Sequence, residues 1–153
     1  MKTLYLVDER ASETWAQRLA EVLPFSAVLS FRGEIGTGKT TFIRAMLRAM
    51  GVTSAIKSPT FSLVESYSCQ PRNVHHFDLY RIEDEAELDY IGFRDYFSDE
   101  AICCIEWPER ACGSLLVCDL AFSLSVEGGG RRMTIKALSV KGEGMLSAML
   151  TSQ

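Results

Sequence analysis

A glycine-rich segment at residues 33–41, G-E-I-G-T-G-K-T-T, limits the folds open to this chain more than any other part of its sequence. Gly33, Gly38, Lys39 and Thr40 match the pattern G-x4-G-K-[ST]. Glycines let several backbone N–H groups point into one concavity, and a following helix adds the positive end of its dipole. Lys39 would place a charge on the outer phosphates of a nucleotide, and the Thr40 hydroxyl can ligate magnesium. The alternative is a glycine-rich turn with an incidental lysine. We predict a nucleotide-binding loop.

Segments with strand and helix character alternate on both sides of this loop. The segments with the apolar or alternating character of strands are residues 3–7, 26–32, 61–67, 73–79, 101–105, 120–126 and 133–138. The predicted helices are one capped by Asp8 or Ser12 and ended by Pro24, and those at residues 41–50, 83–91 and 145–150. This order favours an α/β fold: a three-layer, P-loop NTPase-like sheet with a parallel core and antiparallel strands added at the edges. A single domain spanning residues 1–153 is expected from the length.

Composition and charge argue against several functional classes. The chain is 47% apolar and 24% charged, the balance of a globular protein, and its net charge of -4 disfavours broad non-specific binding to nucleic acid. No apolar run approaches the ~18 residues of a membrane span. Met1–Arg10 lacks the design of a signal peptide. We therefore expect no membrane association and a cytoplasmic location.

The five cysteines are expected to have packing roles. Their number is odd, no C-x-x-C occurs, and Cys103 and Cys104 lie in the apolar run A-I-C-C-I. The others are Cys69, Cys112 and Cys118. This usage disfavours metal or redox chemistry and fits a reducing compartment.

Two acidic residues follow predicted strands and could act on a bound nucleotide. Glu106 directly follows A-I-C-C-I, the layout of an acid that helps to hold magnesium beside a phosphate loop. The alternative is a solvated acid at a strand end. Asp78 lies in H-F-D-L-Y-R and is either a second functional acid or a local cap at a strand end.

Three other features stand near these acids in the sequence. Ser58–Phe61, S-P-T-F, is either a segment that senses the γ-phosphate or a plain entry into a strand. Trp107 is either core packing or a lid over the site. His75 and His76 are adjacent with no further ligand at zinc spacing, so we do not expect a zinc site.

Taken together, the motifs are similar to those of a known family. They are G-E-I-G-T-G-K-T-T, S-P-T-F, H-F-D-L-Y-R and I-E-W-P-E-R, in that order, and G-G-R-R at 129–132 also fits. The chain resembles, over almost its whole length, the TsaE family of bacterial P-loop ATPases needed to make threonylcarbamoyladenosine in tRNA. It departs from the family at Glu34, where an aspartate is expected in many members. In a loop of this kind residue 34 points away from the phosphates.

The resemblance implies a role for each matching position. ATP would be held through its phosphates by the loop residues, which are Gly33, Gly36, Thr37, Gly38, Lys39, Thr40 and Thr41. Thr40 and Glu106 would hold Mg2+. Asp78 and Glu106 would be the catalytic residues.

The remaining implied roles concern the switches and the nucleoside. Ser58–Phe61 would be the first switch, and Asp78 would belong to the second. Trp107 would lie near the nucleotide and a partner surface. Adenine would lie near Glu9–Ser12, and Arg131 or Arg132 would reach the nucleotide.

The resemblance also implies protein partners. Members of the family are poor ATPases alone and act with TsaD, which transfers the threonylcarbamoyl group, and with TsaB. TsaE does not transfer the group itself, and its ATP cycle would reset the partner complex. Contact with tRNA would be indirect, through that complex.

Other readings of the loop are a small-molecule or nucleoside kinase and a nucleotide-binding module without meaningful turnover. A kinase usually carries an arginine-bearing lid, and the arginines after Lys39 do not cluster in one inserted segment. The binding module differs in whether hydrolysis matters, and the two acids favour hydrolysis. A GTPase is disfavoured because no N-K-x-D motif occurs.

Overall fold

The computed structural model describes residues 1–115 and 117–151, without the side chain of Cys112, so the prediction for that cysteine lies outside the described part. In this part of the chain, seven strands form one sheet in the order β1-β7-β6-β2-β5-β4-β3. The strands are β1 (Lys2–Leu6), β2 (Ala27–Arg32), β3 (Val64–Cys69), β4 (Arg72–Asp78), β5 (Ala101–Glu106), β6 (Leu120–Glu127) and β7 (Gly130–Ala137).

The centre of the sheet is parallel and its edges are antiparallel. β2 lies between β5 and β6 and is parallel to both, and β4 is parallel to β5. β3 adds to β4 in the opposite direction, and β7 and β1 extend the other edge in the same way. This arrangement confirms the predicted α/β sheet with antiparallel strands at its edges. Since β2 is central, the segment that leaves its carboxyl end has sheet on both sides.

Within the described residues, four α-helices and two 3₁₀ segments cover the sheet. The α-helices are α1 (Glu9–Val22), α2 (Lys39–Ala49), α3 (Ala86–Tyr90) and α4 (Val140–Thr151), and the 3₁₀ segments are Phe93–Tyr96 and Pro108–Ser114. The N-cap of α1 is Asp8 rather than Ser12, because the Asp8 carboxylate accepts a hydrogen bond from the Ala11 N–H at 2.9 Å. No helix in the described ranges has both the length and the apolar character needed to cross a bilayer.

Two hydrophobic clusters form because successive residues of a strand point to opposite faces of the sheet. On β5, Ile102 and Cys104 belong to the cluster beneath α1, α2 and α4, whereas Cys103 and Ile105 belong to the one beneath α3 and the 3₁₀ segments. The central sheet is therefore buried on both sides, as an apolar strand such as A-I-C-C-I requires. Both neighbouring cysteines are buried, which agrees with the packing role expected for them.

Two predicted elements begin later than expected. The strand predicted from residue 61 begins at Val64, because the Leu63 N–H donates to the Pro59 carbonyl at 2.8 Å and Leu63 has a φ of 70°. The helix predicted from residue 83 begins at Ala86. The Glu87 carboxylate accepts from the backbone N–H groups of residues 83 and 84, which holds these residues in a turn. Side-chain hydrogen bonds of this kind compete with regular structure.

Candidate functional site

The glycine loop connects the carboxyl end of β2 to the first turn of α2. Gly33 has a φ of 151°, and a Cβ atom there would lie 2.5 Å from the Leu124 carbonyl oxygen and 2.6 Å from Thr37 Oγ1. Thr37 folds back on the loop, since its hydroxyl donates to the Glu34 carbonyl at 2.9 Å. These contacts hold the backbone in a tight ring directly before a helix, where free N–H groups and the helix dipole favour an anion.

Lys39 places its charge inside this ring. Its Nζ donates to the carbonyls of Gly33 and Glu34, at 2.5 and 3.0 Å, and the residue is only 5% exposed. Burial lowers the pKa of Lys39, and the nearby carboxylates, Glu106 foremost, oppose that shift. A buried ammonium whose hydrogen-bond acceptors are neutral carbonyls would gain energy from an anionic partner. The loop therefore fits a phosphate group.

Thr40 and Glu106 lie together beside the loop. The Thr40 hydroxyl donates to Glu106 Oε2 at 2.8 Å and lies 3.1 Å from Oε1. Glu106 is 3% exposed and is the last residue of β5, next to β2 in the sheet. A hydroxyl and a carboxylate are the hard oxygen ligands that Mg2+ prefers. The pair fits a magnesium ion shared with the phosphates of a nucleotide.

Asp78 is the last residue of β4 and lies at the same end of the sheet as Glu106. Its Oδ1 accepts a hydrogen bond from the Tyr80 N–H at 3.0 Å, and its Oδ2 accepts one from the Thr60 hydroxyl at 3.2 Å. Asp78 is thus a local cap, and it also connects β4 to the S-P-T-F segment. Its role as a second functional acid stays a prediction. Ser58 and Thr60 share a further hydroxyl contact of 2.9 Å.

Trp107 follows Glu106, packs partly buried against the hydrophobic cluster that contains Ile105, and also reaches the glycine loop. Its backbone has a φ of 57°, and its N–H donates to the Phe31 carbonyl at 3.2 Å. The indole ring lies 4.8 Å from Lys39 Nζ, and its centroid lies 5.0 Å from that of Tyr80. Trp107 therefore contacts the phosphate-loop lysine directly, in a geometry that stabilises the cation.

A cavity of about 230 Å3 adjoins the other side of the loop, toward α1. Its lining residues come from the end of β1, from α1 and its N-cap, from the loop and the first turn of α2, and from the β6–β7 turn and the start of β7. They include Glu9, Ser12, Thr41 and Arg131. Arg131 Nη2 donates to the Gly36 carbonyl at 3.2 Å, whereas Arg132 turns to Glu127 at 3.2 Å. Of the two arginines considered from the sequence, Arg131 is the one that contacts the loop.

The structure brings the predicted site residues to one end of the sheet. The loop, Thr40, Asp78 and Glu106 surround the carboxyl ends of β2, β4 and β5. A cavity of about 390 Å3 lies elsewhere and includes Ala27 and Ala101, at the amino ends of β2 and β5. None of its lining residues belongs to the loop. The ends of adjacent parallel strands are where α/β sheets bind ligands.

Sequence reasoning missed one residue of this site, His76. It was considered only as a zinc ligand, yet its Nε2 lies 2.6 Å from Glu106 Oε2. The signal was its spacing from Asp78, because residues two apart on a strand share a face. Within the described residues, no group of three or more histidine, cysteine or acidic side chains is placed to hold a metal ion.

Comparisons with known proteins agree on one family. Residues 6–134 match the model of the family described as "Threonylcarbamoyl adenosine biosynthesis protein TsaE". A Haemophilus influenzae protein named "tRNA threonylcarbamoyladenosine biosynthesis protein TsaE" is 35% identical over 151 residues, which cover 95% of this chain and 96% of that protein. An Aquifex aeolicus protein of the same name is 38% identical over 112 residues, which cover 72% of this chain and 79% of that protein.

A solved structure agrees on the fold. The crystal structure of Bacillus subtilis YdiB superposes with a TM-score of 0.81 and covers 97% of this chain and 93% of that one. The sequence identity is 21%, so this likeness concerns the fold alone.

Proposed function

This chain belongs to the TsaE family, and we propose that it is a Mg2+-dependent ATPase that hydrolyses ATP slowly alone and acts with TsaD and TsaB in the threonylcarbamoyladenosine modification of tRNA. In this proposal TsaD transfers the threonylcarbamoyl group. This protein contacts tRNA only indirectly, through the complex with TsaD and TsaB. A cytoplasmic location is part of the same proposal. Membership of the family confirms the resemblance recognised in the motifs.

The observation that carries the proposal is the juxtaposition of Lys39, Thr40 and Glu106. Lys39 presents a buried positive charge within the glycine loop, and Thr40 and Glu106 present oxygen ligands beside it. A phosphate chain with a bound magnesium ion carries the complementary groups: anionic oxygens for Lys39, and a hard cation for the other two.

The loop residues would bind the phosphates through backbone N–H groups and side chains. Gly33, Gly36, Thr37 and Gly38 shape the ring, and the side chains of Lys39, Thr40 and Thr41 adjoin it. The cavity of about 230 Å3 beside α1 would receive the nucleoside, with Arg131 at its border. This assigns adenine to the region of Glu9–Ser12.

Thr40 and Glu106 would hold the magnesium ion, whose chemistry when bound is to supply positive charge to the phosphoryl oxygens. The two acids would then have different roles. Glu106, held by its hydrogen bond with Thr40, would be a ligand of the magnesium ion or of its bound water. Asp78, at the end of β4, would orient the attacking water. Thr60 connects Asp78 to the S-P-T-F segment, so the presence of a γ-phosphate could change the order of that segment.

Slow turnover alone follows from how phosphoryl transfer is catalysed. The transition state needs accurate positioning and neutralisation of charge, and a missing element can come from a partner in trans. Dependence on TsaD and TsaB would couple hydrolysis to the state of the complex. For the nucleotide to control that assembly, the partners must bind the ATP form and the ADP form with different affinities.

The test is steady-state ATP hydrolysis with Mg2+, for the protein alone and with purified TsaD and TsaB. We expect slow turnover alone that rises when both partners are present, and no comparable rise with either partner alone. Partners mixed without this protein give the background. Turnover that stays at the background level in every mixture would overturn the ATPase. Binding of ATP without any turnover would favour a nucleotide-binding module.

A further inference from the structure

We propose that His76 is a positioning residue that holds Glu106 by one oxygen, Oε2, and thereby directs the other, Oε1, to the magnesium ion or its bound water. The inference rests on the proposed function, because it concerns how the same site receives Mg2+. It assigns a role to a histidine that the reaction scheme above does not use.

The contact between the two side chains is short and enclosed. His76 Nε2 lies 2.6 Å from Glu106 Oε2, and the two side chains are 1% and 3% exposed. His76 is opposite Cys104 in the parallel pair β4–β5, and Glu106 is two residues beyond Cys104, so the histidine reaches diagonally across the pair. β4 and β5 are hydrogen-bonded neighbours inside the sheet, between β3 and β2, which fixes the relative position of the two residues.

The hydrogen bonds of Glu106 are divided unequally between its two oxygens. Oε2 receives His76 at 2.6 Å and the Thr40 hydroxyl at 2.8 Å, whereas Oε1 has only the longer Thr40 contact of 3.1 Å among the described residues. Each carboxylate oxygen accepts about two hydrogen bonds. Oε2 is therefore saturated, and Oε1 keeps the capacity for a further ligand. Thr40 donates its hydrogen to Glu106 and so retains its oxygen lone pairs for the metal.

A purely structural role explains His76 less well. Its Nδ1 is buried and has no hydrogen-bond partner among residues 1–115 and 117–151. A buried polar side chain that satisfies only one of its two nitrogens stabilises a fold poorly, and an apolar residue of similar size would serve the core better. The hydrogen bond to Glu106 therefore explains the imidazole at this position better than core packing does. Groups that orient metal ligands are commonly worth 10–100-fold in metal affinity or activity.

The neighbouring histidine provides a matched control. His75 points to the opposite face of β4, where its Nδ1 lies 2.7 Å from Ser66 Oγ and its ring packs edge-on against Tyr96 at 5.0 Å. His75 does not contact Glu106. A change of His75 to glutamine therefore alters the same strand and the same residue type without touching the magnesium side of the sheet.

The experiment measures the binding of Mn2+, as a substitute for Mg2+, to the protein saturated with ADP. The free Mn2+ is followed by its paramagnetic resonance signal. Three variants are compared: His76→Gln, whose amide nitrogen takes about the position of Nε2, His76→Asn, whose side chain is one methylene too short, and His75→Gln. Affinity for ADP in EDTA and the thermal melting curve are recorded for each, so that loss of the fold is recognised separately.

We expect His76→Asn to weaken Mn2+ binding by about 10–100-fold, with little change in ADP affinity without metal. His76→Gln should recover most of the loss, and His75→Gln should match the parent. In a Glu106→Ala background, His76→Asn should have almost no further effect, because its action passes through that carboxylate. If His76→Asn does not fold, His76→Phe, which keeps a buried ring but has no N–H to donate to Glu106, takes its place with the same expected loss of Mn2+ affinity.

Different experimental outcomes would contradict the positioning role of His76 and the proposed function. A parent protein that binds ADP with Mn2+, together with a folded His76→Asn variant of equal Mn2+ affinity, would overturn the positioning role alone. An equal loss in the Glu106→Ala background would do the same. A parent protein that binds no ADP would overturn the proposed nucleotide site and this inference with it. A parent protein that binds ADP but takes up no Mn2+ would overturn the proposed magnesium site and this inference, and would leave nucleotide binding in place.

Discussion

Asp78 and Glu106 lie directly opposite each other as the last residues of the parallel neighbours β4 and β5. Their carboxylates have different surroundings, because Glu106 contacts Thr40 and His76 whereas Asp78 contacts Thr60 and the Tyr80 N–H. The two acids at this end of the sheet can therefore have different roles. Because their contacts differ, a mutation of one acid can be made without removing the contacts of the other.

Changing Glu106 to glutamine should reduce ATP turnover by at least about 100-fold while ADP still binds in EDTA. The amide keeps the shape of the side chain but removes the charge that attracts magnesium. Steady-state hydrolysis and calorimetric ADP binding measure the two effects. Glu100→Gln, an exposed acid just before β5, serves as the control. Turnover by Glu106→Gln at the rate of the parent would contradict the magnesium role.

Changing Lys39 to methionine should abolish phosphate binding without lowering thermal stability. Burial lowers the pKa of Lys39 below its ordinary value of 10.5, so the fold disfavours the ammonium. The resulting destabilisation is fully present below the lowered pKa and is relieved as pH rises from that value to 10.5. Melting curves at pH 7 test the expectation on stability, and ADP titrations test the expected loss of phosphate binding. A marked fall in the melting temperature of Lys39→Met would show that the charge stabilises the fold.

The same lowered pKa predicts how nucleotide affinity depends on pH. The Lys39 ammonium must be present to bind phosphate, and the folded protein loses that proton at a lower pH than an ordinary lysine would. Affinity for ADP in EDTA should therefore begin to fall at a pH below 10.5, and Lys39→Arg, which stays charged, should not show this fall. A parent protein and a Lys39→Arg variant with identical alkaline profiles would contradict the assignment.

Two glycines of the loop should respond differently to alanine. At Gly33 a Cβ atom would meet the Leu124 carbonyl oxygen at 2.5 Å, whereas at Gly36, with a φ of 82°, nothing lies within 4 Å. We expect Gly33→Ala to cost about 3 kcal/mol in free energy of unfolding, from steric conflict and strain. Gly36→Ala should cost about 1 kcal/mol, from strain alone. Urea denaturation of both variants measures the difference, and equal losses would mean that the contact with β6 is not limiting.

Arg131 and Arg132 are neighbouring arginines with different contacts, so mutation of one is a control for mutation of the other. Arg131 contacts the Gly36 carbonyl and borders the cavity beside α1, whereas Arg132 pairs with Glu127 on the surface. Arg131→Ala should weaken ATP binding by about 1.5 kcal/mol or more, the value of a hydrogen bond to a charged group. Arg132→Ala should leave binding unchanged. Equal behaviour of the two variants in ATP titrations would remove Arg131 from the nucleotide site.

Much of the fold could be predicted because the signals are local. An apolar run, a glycine loop and an amphipathic helix in sequence predict the β2–loop–α2 unit. The strand predicted from residue 133 begins earlier, at Gly130, and the helix predicted from residue 145 begins at Val140. The two late starts occur where a side chain or a carbonyl competes for backbone hydrogen bonds. Leu63 and Glu87 are the two examples, and each delays the start of an element by about three residues.

Residue types at fixed spacing are enough to predict the glycine loop and the two acids at strand ends and to identify the family, which the comparisons confirm. They do not reveal which distant groups lie together in the folded chain. Thr40 and Glu106 are separated by 66 positions, and His76 and Glu106 by 30, yet each pair is in hydrogen-bond contact. The physical reason is that the order and register of parallel strands fix such contacts. That order is set by the burial of the whole sheet rather than by any short stretch of chain.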